Sequence, residues 1–139
     1  MDGYWLFNTN ETYRPDTRCY MVEHSCICAQ YEAKDCVGQV AEGDVVFIYE
    51  NGTGIIAYGI ADGQVRVTNY EGHVGERHQM QLSPFRELES PIAPSVISEA
   101  AKDLDGSGVF YAKTISPLKK RTGEQLRELA RTISQSGPV

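Results

Sequence analysis

Gly43-Asp44-Val45-Val46-Phe47-Ile48-Tyr49-Glu50-Asn51-Gly52-Thr53-Gly54-Ile55-Ile56-Ala57-Tyr58-Gly59-Ile60-Ala61 decides how the chain is read. Residues 45–49 are an unbroken apolar run of β-branched and aromatic side chains, the composition of a buried strand. Asn51-Gly52-Thr53-Gly54 is rich in residues that tolerate a tight turn, and residues 55–61 return as a second strand. The same glycines match GxGxx[GA], a dinucleotide fingerprint. That fingerprint needs a helix after the glycines, so that a helix N-terminus meets the phosphates. β-branched and aromatic residues follow instead, so the stretch reads as a hairpin.

Upstream, Tyr4-Trp5-Leu6-Phe7 reads as a short strand stopped by Asn8-Thr9-Asn10. Arg14-Pro15-Asp16-Thr17 opens a helix with Asp16 or Thr17 as cap, and Tyr20, His24, Ile27, Cys28 and Tyr31 follow at helical spacing. The spacing predicts a helix running to about Cys36, with Gly38 just beyond it. Downstream, Asp62-Gly63 suggests a second tight turn before a half-exposed strand over 64–68. Residues 70–78 are polar and Gly-rich and read as a loop. A strand over 78–88, broken near Pro84, a helix over 94–104, a strand over 109–115 and an amphipathic helix over 121–134 complete the chain. Strands dominate and no βαβ rhythm appears, which gives an α+β fold around a small, partly open barrel.

At 139 residues, 41% hydrophobic and 23% charged, the chain is sized for one domain, 1–139, with a true core. No apolar stretch is long enough to cross a bilayer, and Met1-Asp2-Gly3-Tyr4-Trp5 lacks the features of a signal peptide. A soluble, cytoplasmic protein without membrane partners is expected. The net charge of −6 argues against non-specific coating of nucleic acid. It is unevenly spread: residues 1–112 hold 7 Lys/Arg against 17 Asp/Glu, and residues 113–139 hold 6 against 2. Lys113, Lys119, Lys120, Arg121, Arg127 and Arg131 make up that cationic end, either a solvated helix face or a phosphate-contacting rim.

Cys19, Cys26, Cys28 and Cys36 are spaced C-x6-C-x-C-x7-C, which is not the paired knuckle pattern of structural zinc. His24 and Cys28 stand at i,i+4 and would share a helical face, but two ligands do not make a metal site. Asp103-Leu104-Asp105-Gly106-Ser107-Gly108 resembles half of a calcium loop, yet its twelfth position is Thr114 where a bidentate Glu is needed. No metal and no cofactor are expected. GxSxG, HExxH and phosphate-loop motifs are absent. His73 and His78 in the polar loop are the best general-base candidates if catalysis occurs.

The distinctive feature is aromatic: 8 Tyr, 4 Phe and 1 Trp. Phe47 and Tyr49 face one side of their strand, as do Trp5 and Phe7 of theirs. Polar-tipped rings beside Asn8 and Asn10 suit a pocket for a planar heterocycle, the rings stacking and the amides reading the base edge.

Tyr4-Trp5-Leu6-Phe7, the following helix, the Gly43–Tyr49 strand with its leading Gly-Asp, and Gly54-Ile55-Ile56-Ala57-Tyr58-Gly59-Ile60-Ala61 resemble the EVE domain. That family belongs to the PUA-like superfamily with the ASCH and YTH domains, and the match spans roughly residues 4–62. The resemblance implies a PUA-like mixed β pseudo-barrel flanked by three helices. It implies a non-enzymatic nucleic-acid reader that accepts a modified base in an aromatic pocket. Carried over, the expected pocket is Trp5, Asn8, Asn10, Tyr13, Tyr31, Tyr49 and Tyr58, with Lys119, Lys120 and Arg121 on backbone phosphate. The sequence departs from the family at Glu50-Asn51, where a His-Ser pair is usual, and at residues 11–16, which lack Trp. Two alternatives stand beside this reading. One is an ASCH-like hydrolase or nuclease for a modified nucleoside, using Lys113-Thr114 with Glu50 or Glu32. The other is an acidic protein-interaction module of a defence or counter-defence system.

Overall fold

The computed structural model describes residues 3–9, 16–105 and 114–133. The elements run β1 (Tyr4–Asn8), α1 (Thr17–His24), β2 (Cys26–Gln30), a 3₁₀ helix (Tyr31–Gln39), β3 (Val45–Glu50), β4 (Gly54–Tyr70), β5 (His73–Ile92), α2 (Pro94–Asp105), β6 (Ile115–Leu118) and α3 (Lys120–Ile133). The six strands form one sheet in the order β2-β5-β4-β3-β1-β6. β1 runs parallel to β3, and every other neighbouring pair is antiparallel. The sheet curls into a half-barrel, so the α+β class and the mixed pseudo-barrel with its three α-helices are as expected.

The β3–β4 hairpin stands where the sequence placed it, with Phe47 opposite Tyr58 and one bulge between Ile48 and Tyr49. Three local expectations are corrected. The first helix does not reach Cys36: Ser25 turns left-handed at φ 53°, its N–H closing on the Met21 carbonyl, and residues 26–30 leave as a strand. All five residues of β2 are buried, so side chains on both its faces are apolar or small and mimic helical spacing. Asp62-Gly63 is not a turn; Gly63, at φ 77°, sits in a register shift within the continuous β4. The reversal comes instead at Glu71-Gly72, so the expected polar loop is the start of β5. Of the expected strand over 109–115, residues 109–113 lie outside the described residues.

Two apolar clusters lie on opposite sides of the central strands. The first gathers Phe7, Val46 and Ile48 with Met21 of α1, Ile27 of β2 and Val37 of the 3₁₀ helix. The second gathers Leu6, Val45, Phe47 and Tyr49 with Tyr58, Ile97 of α2, and Leu126 and Ala130 of α3. α1 and the 3₁₀ helix therefore cover one face, and α2 and α3 the other.

The carboxylate of Asp44 holds the strand ends in place. Its Oδ1 accepts from the Gly3 N–H at 2.7 Å, and its Oδ2 accepts from the Trp5 indole Nε1–H and the Ala41 N–H, both at 2.8 Å. Its main-chain carbonyl accepts from the Ala61 N–H at 2.8 Å. Burial alone would raise the carboxyl's pKa, but the donors from Ala41, Gly3 and Trp5 outweigh it and hold it below the usual carboxylate range. α3 approaches β1 so closely at Gly123 that an added Cβ would fall 2.1 Å from Tyr4 Cγ and 2.5 Å from Tyr4 Cβ.

Two stability measurements follow from these contacts. Because the folded-state carboxyl is depressed, its contribution is complete above the ordinary carboxylate range and fades as pH falls through the folded value. Asp44→Asn is expected to cost about 2 kcal/mol in urea unfolding at pH 7. The gap to the wild type should narrow below about pH 4; a gap independent of pH would contradict the charge assignment. Gly123→Ala is expected to cost about 1–3 kcal/mol by overpacking against a ring atom next to the backbone, read as a lowered thermal midpoint.

Candidate functional site

A group of polar and aromatic side chains converges on the first turn of α1. Asp16 precedes the helix but makes no side-chain cap hydrogen bond. Its carboxylate instead reaches across to β4 and β5. Tyr70 Oη donates to Asp16 Oδ1 at 3.0 Å, and Arg77 Nη2 lies 3.6 Å from Asp16 Oδ2. Arg77 is only 8% exposed, and its guanidinium lies 3.8 Å from the centre of the Tyr20 ring and 4.7 Å from that of Tyr70. Two ring faces and one carboxylate thus offset the cost of burying its charge. Gln79 completes the group, its Oε1 accepting from Tyr20 Oη at 2.7 Å and Thr68 Oγ1 at 3.2 Å.

Tyr31 extends this group toward solvent. Its ring meets Tyr70 edge-on at 5.5 Å and His73 at 5.8 Å, and its hydroxyl donates to Glu71 Oε1 at 3.0 Å. Tyr31 and Glu71 both hold positive φ, 52° and 51°, a costly state for residues with a Cβ. His73 is exposed, so a ring edge borders water here.

On the other side of the same helical turn lie the carboxyl ends of the parallel strands β1 and β3. The Arg18 guanidinium pairs with the Glu50 carboxylate. Asn8 Nδ2 donates to Asn51 Oδ1 at 3.0 Å, and the Thr9 N–H donates to the Tyr49 carbonyl at 2.9 Å. Thr9 and Thr17 are both almost wholly buried, at 0% and 1%, and neither hydroxyl has a hydrogen-bond partner among the described residues. An unpaired buried hydroxyl costs on the order of 1–3 kcal/mol, so two of them flanking one helical turn mark a place suited to a polar ligand. A cleft of about 210 Å³ nearby is lined by Arg18 and Val22 of α1, Thr53, Ile56 of β4 and Glu87 and Glu89 of β5; Asn8, Thr9 and Thr17 are not among its lining.

The seven expected pocket residues are not brought together. Tyr49 and Tyr58 are buried in the second cluster, with Tyr58 close to the stacked Phe47 ring (centroids 6.1 Å, interplanar angle 18°). Trp5 packs against the first cluster, and its N–H is committed to Asp44. The sheet therefore separates rings that were expected to form one slot. Asn8 and Tyr31 belong to the two halves of the α1 site, and Asn10 and Tyr13 lie outside the described residues. Lys119, Lys120 and Arg121 are exposed at the start of α3, beyond the Tyr4 end of β1, where Tyr4 pairs with Leu118. Asn8 stands at the other end of that strand.

Tyr20, Tyr70, Arg77 and Gln79 were not anticipated. Reading residues 70–78 as a loop hid the alternation that sends Arg77 and Gln79 to one side of β5. Of the combination considered for hydrolysis, Glu32 and Thr114 line one cleft of about 500 Å³ between the 3₁₀ helix and β6. Glu50 is engaged by Arg18, and Lys113 lies outside the described residues. His24 and Cys28 occupy different elements, and among the described residues no three His, Cys, Asp or Glu side chains cluster as for a metal. Of the calcium-like loop, residues 106–108 lie outside the described residues, and Asp103 and Asp105 fall in the end of α2.

No family model matches the sequence, and no curated protein matches it. Solved structures do. The Mmi1 YTH domain in complex with RNA superposes with a TM-score of 0.59 at 12% identity, over 97% of this chain and 84% of that one. A hypothetical protein from Leishmania major gives 0.59 at 9% identity over 95% and 96%, and a protein from Rhodopseudomonas palustris gives 0.57 at 13% over 92% and 92%. The fold is YTH-like. At these identities the likeness concerns fold alone, and the EVE resemblance of the sequence resolves to this broader PUA-like, YTH-type architecture.

The cysteines of this YTH-like fold differ sharply in environment. Burial, with the Asp35 charge beside it, pushes the Cys36 thiol up to about 11. Cys28 is raised by its hydrogen bond to Cys26 and by burial, and the same hydrogen bond lowers buried Cys26. Cys19 is exposed. Iodoacetamide at pH 8 should therefore add a single label to the native protein, at Cys19, with Cys36 reacting only as pH approaches about 11. Rapid labelling of Cys36 at pH 8 in an intact-mass measurement would contradict this picture.

Proposed function

We propose that the chain is a nucleic-acid-binding module that takes single-stranded RNA across the first turn of α1. In this reading one base, modified as the EVE resemblance implies, is read at the ends of β1 and β3, where it opens the buried polar group around Thr9 and Thr17. Asn8 and Asn51 meet its edge, and the hydroxyls of Thr9 and Thr17 gain the partners they lack. A neighbouring base stacks on the exposed His73 ring beside Tyr31, since base–aromatic stacking contributes about 1–3 kcal/mol per base. Lys119, Lys120 and Arg121 contact backbone phosphate farther along the strand. Trp5, Tyr49 and Tyr58 support the scaffold rather than the base.

The observation that carries this reading is the pair of buried, unpartnered hydroxyls beside the Asn8–Asn51 amide contact, in a fold that Mmi1 presents in a complex with RNA. The acidic balance of the chain favours recognition by a specific pocket over recognition by charge.

Fluorescence polarisation with labelled RNA and DNA oligonucleotides, each with and without one methylated base, at two salt concentrations, tests it. Asn8→Ala should weaken RNA binding about tenfold or more, the range of one good amide–base contact. Replacing Lys119, Lys120 and Arg121 together by Ala should weaken all oligonucleotides evenly and flatten the salt dependence by about one unit of slope for each phosphate no longer neutralised. Binding untouched by Asn8→Ala, or no binding at low salt, would overturn the proposal.

A further inference from the structure

The cleft of about 210 Å³ between α1 and the last part of β5 has a lining of mixed character. Ile56, Val22 and Pro91 give it apolar walls. Its charged groups are of opposite sign: α1 contributes Arg18, and β5 contributes Glu87 and Glu89. The strand register accounts for the direction of Glu87. It lies opposite Ala57 of β4, and Ala57 belongs to the apolar cluster that α1 covers. Paired residues of antiparallel strands share a face, so Glu87 is turned toward α1.

These charges do not satisfy one another. Glu50, outside the cleft lining, engages Arg18 through Nε, and no described residue takes its Nη donors. Among the described residues neither Glu87 nor Glu89 has a hydrogen-bond or ion-pair partner. The cleft therefore offers an acceptor pair on one side, a donor fork on the other and apolar contact between. A complementary ligand is flat, with two adjacent donors on one edge and an acceptor beside them. Among the RNA bases only guanine has that edge: N1–H and N2–H₂ donate side by side, and O6 accepts next to them. Adenine and cytosine each set a ring acceptor beside their amine, and the single N3–H of uracil stands between two carbonyls. Either arrangement turns a lone pair toward a carboxylate.

We propose that this cleft is a guanine subsite, in which the Glu87 carboxylate accepts from N1–H and N2–H₂ while Arg18 Nη donates to O6. Glu89 adds negative potential at the rim, and Val22, Ile56 and Pro91 cover the base faces. Both donors meet an ionised acceptor, the stronger kind of hydrogen bond. The inference rests on the RNA reading above and adds a second, sequence-selective position to it. The chain path supports that link. Arg18 directly follows Thr17, and Thr53, also in the lining, is two residues from Asn51. A nucleotide next to the one read by Asn8 and Asn51 thus has this cleft within its neighbourhood.

The test uses the full chain and labelled single-stranded uridine oligonucleotides that carry one guanosine, inosine or adenosine at the centre. Guanosine should bind about tenfold or more tighter than adenosine, the range of one bidentate contact. Inosine, which keeps N1–H and O6 but lacks the N2 amine, should fall between them. Glu87→Gln should remove the guanosine preference and strengthen adenosine binding, because an amide matches the donor–acceptor edge of adenine. Glu87 is exposed, so the variant's thermal midpoint should match the wild type. Asn8→Ala should weaken all three oligonucleotides and leave their order unchanged. Equal binding of the three by the wild type, or a guanosine preference that survives Glu87→Gln, overturns the subsite and leaves the RNA reading standing. No binding of any oligonucleotide at low salt overturns both.

Discussion

Three N–H groups from two parts of the chain end on the Asp44 carboxylate: Gly3 at the head of β1 and the Trp5 indole within it, and Ala41 before β3. No hairpin places β1. It enters the sheet parallel to β3, far from it in sequence, and antiparallel to β6, which comes from the other end of the chain. A one-residue slip would reverse which of its side chains meet which core cluster. The Asp44 carboxylate fixes that register at one end, through a side chain as well as the main chain, and the Val45 N–H to Gly3 carbonyl bond at 2.9 Å continues it. With β1 set, Leu6 joins Phe47 on one face and Phe7 joins Ile48 on the other.

The same register determines where chemistry can occur. Setting Gly3 and Trp5 on Asp44 at one end of β1 brings Asn8 and Thr9 beside Tyr49, Glu50 and Asn51 at the other. α1 lands over that end because Arg18 meets Glu50 on one side, and Asp16 meets Tyr70 and Arg77 on the other. One short helix thus joins a buried polar group at two strand ends to an arginine held between tyrosine rings. The cationic start of α3 belongs to the helix layer on the opposite face of the sheet. In the proposed binding mode a strand has to span the length of β1 and pass from one face of the sheet to the other to use both.

Much of this was legible in the sequence. Gly43-Asp44, the apolar run to Tyr49 and the Asn51–Gly54 turn identify the hairpin, because each signal is local. The end of α1 was not legible: Ser25 carries no sequence mark of a left-handed residue, and β2 is buried on both faces, which removes the two-residue alternation. The start of β5 was missed because it lies in the outer part of a long hairpin, where strand residues are polar. The aromatic slot failed for a different reason. Alternation says which residues of one strand share a face, but not how two strands are registered. Trp5 and Tyr49 therefore looked like neighbours although the sheet lies between them. Asn8 does end its strand, as the stop at Asn8-Thr9-Asn10 suggested.

The assignment of Trp5 to the scaffold and of Asn8 to the ligand is tested most directly by a ¹⁵N correlation spectrum recorded while single-stranded RNA is added. The account predicts that the Asn8 and Asn51 side-chain amides and the main-chain N–H of Thr17 move with added RNA, while the Trp5 indole N–H, held by Asp44, stays in place. Movement of the indole resonance with the Asn8 and Asn51 amides unchanged would contradict it.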